Sequence, residues 1–114
     1  MSFKATLLFL VLFVFCSASS LAQRVFVVKT NESADVTVYV SDYPLKVDLL
    51  VATVSSASQA RHNIGRWYFD RTPYTADLRV KFTTNESEAD LKICFVQLVT
   101  QTGWLNPGKS FLLD

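Results

Sequence analysis

Apolar and polar residues alternate with period two in several short stretches of this chain, and the stretches copy one another. Leu91, Ile93 and Phe95 alternate with Asp90, Lys92 and Cys94. Leu78, Val80 and Phe82 alternate in the same way with Asp77, Arg79 and Lys81, and Val36, Val38 and Val40 with Asp35, Thr37 and Tyr39. Successive side chains of a strand project to opposite faces, so each stretch predicts a half-buried strand. Apart from the apolar run at residues 5–16, no useful length shows the i, i+3, i+4 spacing of an amphipathic helix.

The copies form a repeat. Units start at Arg24, Thr37, Leu50, Arg66, Arg79 and Lys92, spaced by 13, 13, 16, 13 and 13 residues. The slot eleven residues after each start holds Asp35, Asp48, Arg61, Asp77, Asp90 and Gly103 in turn. Between the strands lie turn residues: the near-copies Thr30-Asn31-Glu32-Ser33 and Thr84-Asn85-Glu86-Ser87, and the prolines Pro44 and Pro73, which a strand interior would reject. The third unit is irregular. A longer polar loop, Ser55 to Gly65, carries three extra residues and the single histidine, His62. The expected fold is all-β, one small domain of about six or seven short strands, as a repetitive barrel or sandwich. Ser110 to Leu113 reads as a last, edge strand.

Residues 1–22 are set apart. Lys4, the apolar run and the small residues Ser20 and Ala22 together predict a cleavable secretory signal, cut before Gln23. The domain organisation is then a signal at 1–22 and one repeat domain at 23–114, with no stable membrane span after cleavage. Loss of Lys4 leaves ten basic and ten acidic residues. That balance argues against nucleic acid and against a polybasic membrane contact as partners. Cys16 also departs, so the exported domain holds one cysteine, Cys94, and cannot close an intramolecular disulfide. Its stability must come from packing or topology.

Candidate chemistry is sparse. Asp35, Asp48, Asp77 and Asp90 could converge on a hard cation, but no calcium-loop glycine pattern accompanies them. The reading preferred here is structural: each carboxylate accepts backbone N–H groups at the turn entering its own strand, and Asp77 with Arg79 or Asp90 with Lys92 can pair along one face. Trp67 and Phe69 share parity with the core. Phe26, Tyr39 and Tyr68 share the opposite slot, which makes them the candidate ligand face. Cys94 and His62 are the residues a small hydrolase would use, although no catalytic motif surrounds them. No motif calls for a metal or cofactor.

In order and spacing, the repeated Ala-Asp strand entry, Gly65-Arg66-Trp67-Tyr68-Phe69, Ala89-Asp90-Leu91-Lys92-Ile93 and Gly103-Trp104-Leu105-Asn106 with Lys109 resemble the small bacterial septoil-knot domains. The resemblance covers residues 24–113. It implies an all-β domain threaded into a deep seven-crossing knot and brings no activity with it. The function expected is that of an exported, non-enzymatic structural or interaction domain, whose partner would be another extracytoplasmic protein or a glycan. The alternatives are a small ligand-binding module for carbohydrate or peptide, using the outward aromatics or the 55–65 loop, and a Cys/His hydrolase.

Overall fold

The alternating stretches form strands where the sequence places them. The computed structural model describes residues 23–114, so the predicted signal lies outside the described residues. The strands are β1 (Arg24–Val27), β2 (Val36–Val40), β3 (Leu49–Thr53), β4 (Arg66–Phe69), β5 (Leu78–Thr83), β6 (Leu91–Phe95) and β7 (Gly103–Trp104). One-turn 3-10 segments punctuate four of the connections, at Pro44–Lys46, Ala57–Gln59, Glu86–Glu88 and Val99–Gln101.

The strands form one sheet in the order β4-β1-β5-β2-β6-β3-β7, and a further β3–β4 pairing closes β1 to β6 into a ring. Every pairing among those six is parallel; β7 runs antiparallel to β3. Parallel neighbours usually require a long helical crossover. Here a short connection suffices, because consecutive strands skip one position and leave room for a strand of the other half. β1, β2 and β3 make one circuit of the ring, and β4, β5 and β6 make a second that fills the gaps.

Each skipping connection is tied to the strand it passes. Val28 N–H donates to Val80 and Asp35 N–H to Arg79, so both ends of the β1–β2 connection bond to β5. Ser41 and Asp48 bond in the same way to Ile93 and Lys92 of β6, and Asp70 and Asp77 to Val25 and Arg24 of β1. The 16-residue spacing falls at β3–β4, the one step between adjacent strands of the ring and the seam between the two circuits.

The repeat also builds the core. Each step round the ring shifts the register by two residues, as in Val25↔Leu78, Val36↔Val80, Val38↔Leu91 and Leu49↔Ile93. A shift of two preserves which face each side chain occupies. Residues in the same repeat position therefore fall in one layer. Val25, Val38, Val51, Trp67, Val80 and Ile93 form the central layer, every member fully buried. Gln23, Val36, Leu49, Gly65, Leu78 and Leu91 form the layer at the strand entries, also buried. At the strand exits Val27, Val40 and Phe95 are about 40% exposed, while Phe69 and Phe82 are half-buried.

The C-terminus corrects the sequence expectation. Ser110 to Leu113 belongs to a 3-10 helix, Pro107–Leu113, and not to an edge strand. Pro107 sits in its first turn with φ preset for helix, and Gly108 follows. The helix delivers Leu113, 2% exposed, to the core, and the Leu113 carbonyl accepts a hydrogen bond from Gln23 Nε2 at 3.0 Å.

Candidate functional site

The four recurring aspartates have a common role. Asp77 donates its N–H to the Arg24 carbonyl (2.8 Å) and accepts the Arg24 N–H on Oδ2 (3.0 Å). Asp90 clasps Thr37 in the same two-point manner (2.8 and 2.9 Å), Asp35 clasps Arg79 (2.8 and 2.8 Å) and Asp48 clasps Lys92 (2.8 and 2.9 Å). The sequence alone predicts that these carboxylates serve their own turns. They serve instead the first or second residue of the strand that their connection crosses, and every clasp joins one half of the chain to the other. The reason is geometric: the connection ends beside the entry of the strand that it crosses.

Asp48 is the most engaged of the four. It also accepts from Lys109 Nζ at 3.4 Å and from Asn106 Nδ2 at 3.3 Å, while its carbonyl accepts from Leu105 and Asn106. The Asp77–Arg79 and Asp90–Lys92 pairs are not formed. Lys92 pairs with Glu86 at 3.0 Å, which raises its pKa. Arg24 approaches Asp70 at 3.6 Å. The Thr75 hydroxyl, 2.7 Å from Asp70, is the main cause holding that carboxyl below its ordinary value, assisted by the Thr72 N–H and Arg24 and opposed by partial desolvation. Among the described residues no group of three or more His, Cys, Asp or Glu side chains could hold a metal ion.

The candidate aromatics are spread over three strands, β1, β2 and β4. Phe26, Tyr39 and Tyr68 are each half-buried. In the ring order Lys81 of β5 stands between Phe26 on β1 and Tyr39 on β2. The Arg24 guanidinium lies 6.0 Å from the centroid of Tyr68 and covers that ring. Tyr39 lines a separate hollow of about 440 Å³ with Val40, Phe82, Thr83 and Thr84. Cys94 lies in β6, 7% exposed, with its Sγ 3.7 Å from the Phe95 carbonyl. His62 is exposed in the β3–β4 connection.

That connection gathers basic groups around a cavity. An open hollow of about 310 Å³ is lined by Ser58, Gln59, Arg61, His62 and Arg66 with apolar Val54 and Val99. The segment is built locally. Gln59 caps its own 3-10 turn, its Oε1 accepting from Ser55 Oγ, Ser56 N–H and Ser56 Oγ at 3.0–3.2 Å. His62 follows at φ +65°, the only positive φ of a non-glycine among the described residues. Gly65 then returns the chain to β4 at φ +92°, against the Leu50 carbonyl. The 16-residue spacing marks this segment in the sequence; the convergence of Arg61 and Arg66 on one cavity is not visible there.

No curated protein and no solved structure matches the chain significantly. The model of the 7(1) septoil knot domain family matches residues 22–105, and the chain therefore belongs to that family.

Proposed function

We propose that this protein is an exported, non-enzymatic structural or interaction domain whose use lies in persistence outside the cytoplasm. The observation that carries this reading is the interleaving of the two halves: each of the six ring strands is flanked in the ring by strands of the other half. A chain that circles one barrel twice, with its connections outside a filled core, is the winding a threaded knot requires. Unfolding would then have to withdraw one circuit from the other, which raises the kinetic barrier independently of equilibrium stability. The four clasps add links between the circuits without a disulfide. The partner proposed is another extracytoplasmic protein or a glycan.

Cell fractionation of the full chain carrying a C-terminal tag tests the export step. The expected product starts at Gln23 and is found outside the cytoplasm. A cytoplasmic product retaining residues 1–22 would overturn it. Incubation of the exported product with a broad-specificity protease tests persistence: survival over days supports the reading, and digestion within minutes removes it.

A further inference from the structure

We propose that the β3–β4 connection is a binding site for an organic oxyanion: a phosphate, sulfate or carboxylate carried on a larger body. Arg61 occupies a defined slot of the repeat. In four other units that position holds an aspartate clasping the crossed strand. The β3–β4 step crosses no strand of the ring, so the clasp is not required there, and the slot carries the opposite charge.

The cavity wall offers donors. Among the described residues Arg61 and Arg66 enter no ion pair. Arg66 Nε is buried with no hydrogen-bond partner, which costs free energy unless something accepts from it. The orientation of Gln59 is fixed chemically. Ser56 N–H can only donate, so the atom it meets is the oxygen, and Nε2 is left as a donor. His62 adds a ring N–H. No carboxylate lines the cavity. Two guanidinium groups, an amide and an imidazole suit an acceptor-only group, and guanidinium matches planar or tetrahedral oxyanions in particular. The volume, about 310 Å³, is roughly ten times the ~30 Å³ share of a water molecule. A bare ion would leave most of it unfilled, and Val54 and Val99 supply apolar wall for a carrier. The left-handed backbone at His62 is strain of the kind that collects at binding sites.

The test is a titration of the 15N-labelled protein with glucose 6-phosphate, glucose 6-sulfate and glucuronate, compared with glucose and inorganic phosphate. The expected result is a saturable shift of the Arg66 Nε–H signal and of the Ser58–His62 amides with at least one charged sugar, and none with glucose. The tightest of the three identifies the oxyanion. Arg61→Gln and Arg66→Gln should each weaken binding about tenfold, the share of one charge-assisted hydrogen bond. Arg61 is exposed in the loop, so its variant keeps the test valid if the Arg66 variant misfolds. The proposal is overturned by the absence of saturable shifts up to about 10 mM ligand, beyond millimolar affinity. It is also overturned by binding that Arg61→Gln leaves unchanged. Equal affinity for inorganic phosphate overturns the requirement for an organic carrier.

Discussion

Replacing Asp48 with alanine should be the most damaging change among the four clasps. Its carboxylate is 12% exposed and accepts the Lys92 N–H at 2.9 Å, with Lys109 Nζ at 3.4 Å and Asn106 Nδ2 at 3.3 Å. A hydrogen bond to a charged group contributes about 1.5–3 kcal/mol. Lys109 is itself 37% exposed, so its pairing adds no more than about 1 kcal/mol after solvent screening. The expected loss is about 2–4 kcal/mol. Asp48→Asn keeps the shape and an acceptor and should lose about half as much. Asp35, Asp77 and Asp90 are exposed, and their alanine variants should cost only about 1 kcal/mol each. In a domain of this size each kcal/mol lowers Tm by about 4–8 °C. Thermal and urea unfolding of the four alanine variants and Asp48→Asn would measure these differences. The reasoning fails if Asp48→Ala costs less than about 0.5 kcal/mol, the scatter of ordinary surface changes. It fails equally if Asp48→Ala costs no more than the exposed clasps do.

Gly65→Ala should be severely destabilising, by more than about 2 kcal/mol in urea, because φ is +92° and the new Cβ would meet the Leu50 carbonyl. Leu113→Ala should cost about 2–5 kcal/mol if the C-terminal helix seals the core, and a loss under 1 kcal/mol would mean that Leu113 is a passenger. Asp70, with its lowered pKa, contributes stability that is present above the unfolded value of about 4 and is lost as pH falls through the folded value. Asp70→Asn should therefore flatten the fall of Tm below about pH 4 and leave the slope above pH 5 unchanged.

The strands were legible because their alternation is strict: Val36-Val38-Val40 and Leu91-Ile93-Phe95 have no other periodicity. The all-β class and the six strands of the ring follow from that pattern; the short β7 at Gly103–Trp104 does not. Which strands pair does not, since nothing local states that β5 lies between β1 and β2. For the same reason the partners of the aspartates, 44 or 53 residues away, were invisible. Parity correctly set Trp67 against Tyr68, but it assumes that the face away from the core meets solvent. Here connections cross that face. Cys94 has outward parity and is nevertheless 7% exposed, and Phe26, Tyr39 and Tyr68 are half-covered. The apolar run Phe111-Leu112-Leu113 fits a strand as well as a helical turn, and only Pro107 and Gly108 before it favoured the turn. The irregular third unit was visible as three extra residues. Its cause, the seam between the two circuits, required the topology.

The most direct test of the interleaved barrel is its unfolding rate in strong denaturant. Trp67 is fully buried at the centre of the barrel, so its fluorescence reports opening of the core. After a jump into ~6 M guanidinium, the account predicts a single slow phase lasting hours or longer, which extrapolates in water to a rate below the slow end of small domains, roughly 10⁻⁶ s⁻¹. Unfolding complete within milliseconds to seconds would show that the circuits part freely, and the proposed basis for persistence would be gone.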